Sequence, residues 1–293
     1  MKRSEFRHLD RLRVRWAEVD MQKIVFNGHY LMYFDTAVAG WWRAMAMPYH
    51  ETLAPLAGDF YVRKATVEYL GSARYDDRCE VGVRCDRIGN SSMSLACALF
   101  RDEQLLVHGE LLYVFADPAT QKSKPVPPLL RDWFQAFEAG EPMVRVQTGP
   151  WSELGHAARA LRHAVFIAEQ GIEAPLDGDS ADAGAVHAVA FNRAGMALAT
   201  GRLVSGADGQ ATLSRMAVVQ SMRGSGIGAQ VLQALLAAAR AQGAARVSLQ
   251  AAAAAVPFYE RHGFRVDGTP FEEAGRPHQT MTSRLVPAPA AER

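Results

Sequence analysis

Cysteine is scarce in this 293-residue sequence: Cys79, Cys85 and Cys97 make an odd number, with no C-x-x-C spacing. That excludes a disulfide framework and a zinc knuckle. Cys85 and Cys97 fall at apolar positions of strand-like runs and are expected as reduced core residues. The nine histidines supply no H-x-x-x-H pair and no Cys/His cluster, so no metal site is expected. An excess of charge of one sign is also missing, with 32 Lys and Arg against 31 Asp and Glu. Divided at residue 140, the chain has 18 basic and 18 acidic residues before the cut and 14 and 13 after it. Neither half has the basic excess of a nucleic-acid binder. No apolar run approaches the roughly 20 residues of a membrane span, and none follows the basic start MKRSEFRHLD as it would in a signal peptide. The expectation is a cytoplasmic protein without nucleic-acid or membrane partners.

What is present is apolar content of 49%, enough for two domains with separate cores. In RLRVRWAEVD (11–20), Leu12, Val14 and Trp16 alternate with polar residues, which predicts a strand. After Asn27-Gly28, the apolar positions Leu31, Phe34, Val38, Trp41, Trp42 and Met45 follow helical spacing and predict one long aromatic helix. Strand-like runs follow: DFYVRKATVEYL, RCEVGVRCDRIG, SSMSLACALFRD and LLVHGELLYVFA. One greasy helix followed by consecutive strands predicts an α+β domain over 1–140, an antiparallel sheet wrapped around that helix. Pro118, Pro125, Pro127, Pro128, Pro142 and Pro150 bracket the short helix LLRDWFQAFEAG and mark a boundary, with a linker placed at 141–150. The second domain, 151–293, opens with a helix over SELGHAARALRHAVFIAEQ. Strands follow at AVHAVAFN, MALATGRLV and ATLSRMAVV, then a helix over GAQVLQALLAAARAQG, the strand RVSLQA, the short helix PFYERHG and the strand FRVDGT. The tail VPAPAAER is expected to be disordered.

The stretch Arg223-Gly224-Ser225-Gly226-Ile227-Gly228 precedes the amphipathic helix. A dinucleotide turn would read G-x-G-x-x-G and place an acid at the end of the next strand, where this chain has Ser248-Leu249-Gln250-Ala251. A nucleoside-triphosphate loop would need Gly-Lys-Ser/Thr. Two readings stay open: a helix N-terminus that holds pyrophosphate, with Arg223 adding a cation, or a flexible turn that merely starts a helix. The order of strand, RGSGIG, helix, strand and Phe258-Tyr259-Glu260-Arg261-His262-Gly263-Phe264 resembles the GNAT acetyltransferase family. Its Q/R-x-x-G-x-G/A motif falls on Arg223–Gly228, and its F-Y-x-x-x-G-F motif on Phe258–Phe264. Arg162-His163-Ala164-Val165-Phe166-Ile167-Ala168-Glu169-Gln170 and Gly275-Arg276-Pro277-His278 resemble a subgroup of that family. The resemblance covers about 150–285 and implies a mixed sheet with flanking helices. It also implies acetyl-CoA bound by Arg223, Gly224, Ser225, Gly226, Ile227 and Gly228, backbone amides at Met216, Ala217 and Val218 on the pantetheine and thioester, and Tyr259 as acid to the leaving thiolate. Taken alone, Tyr259 is equally a packing aromatic. Glu169, Glu173, Asp177 and His278 are the candidate bases. Ala251–Ala255, before Phe258, is a run of five alanines where relatives place a polar residue.

In the first half, Asp20-Met21-Gln22-Lys23-Ile24-Val25-Phe26-Asn27-Gly28-His29-Tyr30 resembles the hotdog-fold acyl-CoA thioesterases of the 4-hydroxybenzoyl-CoA type. Their pattern is D-x-x-G-x-V-x-(H/N)-x-x-Y, and this chain lacks the glycine, with Gln22 and Lys23 in that region. Val67-Glu68-Tyr69, Ile88–Ser92 and Val126-Pro127 add to a resemblance that covers about 5–138. It implies a thioester carbonyl polarised near Asn27 and Gly28 at the helix N-terminus. Asp20 would act as nucleophile or general base, and Asn27 or His29 would orient water or carbonyl. It further implies a homodimer or higher homo-oligomer. For Asp20 alone, a turn or helix cap is the competing reading. Together the two halves predict a bifunctional enzyme, an acyl-CoA thioesterase joined to an N-acetyltransferase with an amine acceptor. The alternative is one silent domain, the second by preference, serving as a CoA-binding sensor or assembly module. The aromatic stripe Tyr33, Phe34, Trp41 and Trp42 is expected as core.

Overall fold

The computed structural model describes residues 1–172 and 180–285. Two candidate bases, Glu173 and Asp177, and the tail 286–293 lie outside the described residues. The chain forms two compact units, Met1–Met143 and Val144–Arg293.

In the first unit, β1 (His8–Arg13), β2 (Asp59–Tyr69), β3 (Arg78–Ile88), β4 (Ser92–Arg101) and β5 (Gln104–Ala116) form an antiparallel sheet in the order β1-β3-β4-β5-β2. Across it runs α1 (Asn27–Ala44), which buries Tyr30, Tyr33, Phe34, Ala37, Val38, Trp41 and Trp42. That spacing is one helical stripe. Leu31 belongs to the other side of the helix and is exposed, a correction to the stripe read from sequence. The helix can lie close to the sheet because Gly109 on β5 has no side chain. A Cβ there would sit 2.3 Å from Thr66 O and 3.0 Å from the Phe34 ring. A short α2 (Tyr49–Leu53) follows α1, and α3 (Pro128–Glu138) closes the aromatic cluster. The Phe134 ring lies 5.5 Å from both Trp41 and Trp42. Burying each such side chain contributes about 1.5–3 kcal/mol.

The strand expected over 11–20 stops at Arg13, and Trp16–Glu18 is a 3₁₀ turn instead. The cause is Glu18, whose carboxylate accepts the Arg15 N–H at 2.7 Å and the Tyr33 hydroxyl at 2.7 Å. This local cap pulls the chain out of the sheet before the alternation has run its course.

In the second unit, β6 (Val144–Gly149) leads into α4 (Trp151–Arg162), which continues as a π-helical segment, His163–Glu169. Then come β7 (Val186–Asn192), β8 (Ala197–Ser205), β9 (Gln210–Val218), α5 (Ile227–Ala241), β10 (Arg246–Ala252), α6 (Val256–Glu260), β11 (Arg265–Val266), β12 (Phe271–Glu273) and β13 (Arg276–Arg284). The sheet order is β11-β13-β10-β9-β8-β7-β6, with β12 paired to β13. It is mixed: β9 and β10 are parallel and the other pairs are antiparallel. Residues 144–149, inside the stretch read as a linker, are the edge strand β6 paired with β7. The flanking Pro142 and Pro150 masked a strand of six residues.

A charged cluster is buried in this unit. Asp182, 2% exposed, accepts two hydrogen bonds from Arg162 at 2.9 and 3.0 Å and one from Arg202 at 3.0 Å. His187 is fully buried beside them, with Nδ1 3.2 Å from Arg162 and Nε2 3.0 Å from the Asp182 carbonyl. Arginine can only donate, so Nδ1 accepts and Nε2 carries the proton.

Candidate active sites

Asp20 sits in a tight turn after Glu18. Its N–H donates to Ile24 O at 2.9 Å, its carbonyl accepts from Lys23 at 3.0 Å, and its Oδ1 accepts the Gln22 N–H at 2.8 Å. One carboxylate oxygen therefore shapes the turn. Lys23 is left-handed, with φ 63°, at the place where the D-x-x-G pattern has glycine. We expect Lys23→Gly to raise the stability of this unit by about 0.5–1 kcal/mol, the relieved strain less the entropy of glycine. A urea midpoint that rises at constant slope would show it; an unchanged or lower midpoint would refute it.

Asp20 lines a cleft of about 510 Å³ together with Phe26, Asn27, Tyr30, Tyr69 and Ser72. The cleft opens on the first turn of α1, where Asn27 and Gly28 N–H groups lack intrahelical acceptors. Three contacts fix this turn. Phe26 N–H donates to Glu18 O at 2.9 Å, the Tyr69 hydroxyl donates to Asn27 O at 3.2 Å, and the Tyr30 hydroxyl accepts the Ala73 N–H at 3.1 Å. The His29 ring packs on Phe26 with centroids 5.9 Å apart. Glu18 and Tyr69 escape sequence reasoning as site residues, although the Val67-Glu68-Tyr69 run marks the strand that carries Tyr69. Burial and the bond to Glu18 push the Tyr33 phenol well above its ordinary pKa, so it stays a donor.

In the second unit, β9 and β10 pair from Gln210–Leu213 against Arg246–Leu249 and then part. On the β8 side, one extra residue is accommodated in β9 between the pairs Arg202–Ser214 and Thr200–Ala217. Arg215, in this bulge, has φ 56°. Gly201 lies opposite, where a Cβ would come within 2.4 Å of Met216 Sδ. Past the parting, the backbone of Met216, Ala217 and Val218 on the β10 side has no strand partner among the described residues, leaving a fork lined by peptide groups. At its open end lies the glycine loop. Gly224 and Gly226 have φ of 81° and 83°, values that favour glycine. The N–H groups of Gly226, Ile227 and Gly228 belong to the start of α5 and point outward from the helix end. Ser225 donates its hydroxyl to Met222 O at 2.6 Å. A Cβ on Gly228 would meet Val218 Cγ2 at 3.2 Å and Phe258 at 3.9 Å, so the two glycine-bearing motifs and the end of β9 converge.

Tyr259, on α6, is 7% exposed between Phe258 and Phe264, with ring centroids 5.0 and 5.7 Å away. Burial pushes its phenol up to about 12, so the proton stays on. The cation expected at the loop mouth is engaged elsewhere: Arg223 donates to both Glu169 oxygens at 2.6 Å and through Nε to Val218 O at 3.1 Å. Glu169 is thereby held below the usual carboxylate range and is a poor base. His278 takes part in a local contact with Arg276 O, 2.9 Å from its Nδ1. The alanine run ends β10 and forms a single 3₁₀ turn, Ala253–Ala255. Among the described residues no group of three or more His, Cys, Asp or Glu could hold a metal ion, and no helix is long and apolar enough to cross a membrane.

Comparison with known proteins gives two family matches. Residues 14–134 match the thioesterase-like superfamily and 166–285 match the acetyltransferase (GNAT) domain. The uncharacterized N-acetyltransferase YjcF of Bacillus subtilis is 35% identical over 128 residues, 41% of this chain and 86% of the relative. The acyl-CoA thioester hydrolase YbgC of Escherichia coli is 27% identical over 120 residues, 40% of this chain and 87% of the relative. Among solved structures, Escherichia coli ElaA is 28% identical with a TM-score of 0.44, covering 48% of this chain and 100% of its own. The C-terminal part of the chain thus belongs to the GNAT family, and it follows an N-terminal domain that matches the thioesterase-like superfamily and has a hotdog-like architecture.

Proposed function

We propose that the chain is a bifunctional CoA-thioester enzyme. The first domain would hydrolyse an acyl-CoA, and the second would transfer acetyl from acetyl-CoA to an amine. The observation that carries the first activity is the position of Asp20 in a cleft that opens on the first turn of α1. A thioester carbonyl lodged there would take hydrogen bonds from Asn27 and Gly28 N–H. Asp20 would draw a proton from the attacking water, or attack the carbonyl itself to give a mixed anhydride that water then cleaves. The C–S bond breaks and CoA leaves as its thiol. In the second domain, pyrophosphate would rest on the amides of the loop Arg223–Gly228, while Met216, Ala217 and Val218 hold the pantetheine and polarise the carbonyl. The amine nitrogen forms the new C–N bond as the C–S bond breaks, Tyr259 gives its proton to the departing thiolate, and the proton shed by the amine restores the phenol.

Acyl-CoA and acetyl-CoA are substrates in this reading, no metal takes part, and the setting is cytoplasmic. We also propose a homodimer or higher homo-oligomer. β2 ends the five-stranded sheet, and Tyr69 and Leu70 beside the cleft are 51% and 61% exposed. A second copy would cover this apolar surface. The alanine turn favours a second reading for the GNAT half, a CoA sensor without an acceptor, because it offers no polar side chain to pantetheine.

Free-thiol release from an acyl-CoA panel tests the hydrolase, and absence of release would overturn it. Acetylation of a panel of polyamines, amino acids and aminoglycosides tests the transferase. Tyr259→Phe is expected to lower its kcat by about 10²-fold with acetyl-CoA binding retained. Equal rates would remove Tyr259 from the mechanism, and acetyl-CoA binding with no amine acetylated would favour the sensor.

A further inference from the structure

The resemblance implies Arg223 as a free cation for phosphate, yet its guanidinium is engaged on two sides, although 41% of the side chain stays exposed. Both Nη atoms meet the two Glu169 oxygens at 2.6 Å, a fork-on-fork pair, and Nε meets Val218 O at 3.1 Å. Such a pair fixes orientation as well as charge. Its ends lie on three different pieces of chain. Glu169 is the last residue of the π-helical segment, Val218 is the last of β9, and Arg223 opens the glycine loop. The neighbouring Gln170 carbonyl accepts from Arg276 of β13 at 2.7 Å, which ties the same turn to a strand beyond β10. A π-helical turn widens the helix and shifts the residues beyond it. It therefore bears on where Glu169 is delivered.

We propose that Glu169 and Arg223 act as a single strut that sets the glycine loop against the end of β9, so that CoA affinity depends on the geometry of the pair and not on the charge of Arg223. Both are positioning residues, acting through the backbone amides of Gly226, Ile227 and Gly228. The inference rests on the reading that this loop binds CoA. It differs from the charge reading in sign. A cation masked by Glu169 would be released by Glu169→Gln and would bind CoA more tightly, whereas a strut that loses its partner would bind more weakly.

The test titrates CoA onto the full chain and follows hydrogen-exchange protection of the peptide spanning Arg223–Gly228, which reports this site apart from the first domain. Glu169→Gln, Arg223→Gln and Arg223→Lys are each expected to weaken CoA by roughly tenfold, since lysine keeps the charge but not the fork. The double variant Glu169→Gln/Arg223→Gln should weaken it no further than either single one. Arg246→Gln, which removes a surface arginine paired with Asp267, should leave the affinity unchanged. Tighter binding by Glu169→Gln, wild-type affinity in Arg223→Lys, or additive losses would overturn the strut alone. A wild-type chain whose loop gains no protection from CoA would overturn both the strut and the reading it rests on.

Discussion

Asp20→Asn is expected to lower acyl-CoA hydrolysis by about 10²–10⁴-fold, the range for removing a positioned general base, while the domain stays folded. The amide oxygen of Asn can still accept the Gln22 N–H that Oδ1 now takes at 2.8 Å, so the turn that presents residue 20 survives. What is lost is the carboxylate charge, and with it the capacity to take a proton or to attack. Asp20→Ala loses both oxygens and should add a fall in stability of about 0.5–2 kcal/mol, as for a lost side-chain cap. The pair of variants therefore separates the two roles of this carboxylate. If Asn hydrolyses as fast as wild type and only Ala falls, Asp20 is a turn former and the hydrolytic mechanism must be sought elsewhere in the cleft.

The second large effect is on stability. Asp182→Asn should destabilise the GNAT domain by about 3–5 kcal/mol, because it leaves Arg162 and Arg202 buried beside a neutral amide. That is a large share of the ~5–15 kcal/mol that holds an ordinary domain. Hydrogen exchange of the β7–β9 peptides in rising urea would measure it, and a loss below ~1 kcal/mol would show that water or neighbouring groups already compensate the arginines. The same cluster predicts acid sensitivity. Burial, foremost, lowers the pKa of His187 from its ordinary 6.5, against the pull of Asp182. The unfolded chain takes up a proton as the pH falls through 6.5, while folded His187 stays neutral until a lower pH. Stability is therefore full above that window and declines below it. In His187→Gln this part of the pH dependence should vanish.

Much of the fold is legible in the sequence because it rests on periodicity. The stripe from Phe34 to Trp42 announces α1, and the consecutive strands behind it leave an antiparallel sheet as the only way to bury that face. The glycine loop is legible for a related reason, since Gly224 and Gly226 take backbone angles that other residues avoid. What stays hidden depends on side chains that act across distance in the chain. Glu18 ends a strand that its neighbours' alternation would have continued. Arg223 is committed to Glu169, 54 positions away, so the motif reveals its place in the loop and not its partner. Lys23 is hidden in a third way: its left-handed angle is imposed by the turn around Asp20, against its own preference. The strand β6 was lost between two prolines.

The bulge in β9 has a consequence for how this domain can change. Met216 occupies the space above Gly201, so close that any side chain at 201 would collide with its sulfur. Deleting one residue to straighten β9 would move Met216 off Gly201, and enlarging residue 201 would force Met216, Leu235 or Val231 to shift. Each change alone is expected to be a loss, so the two positions are coupled, and a larger residue at 201 should be tolerated better beside a smaller one at 216.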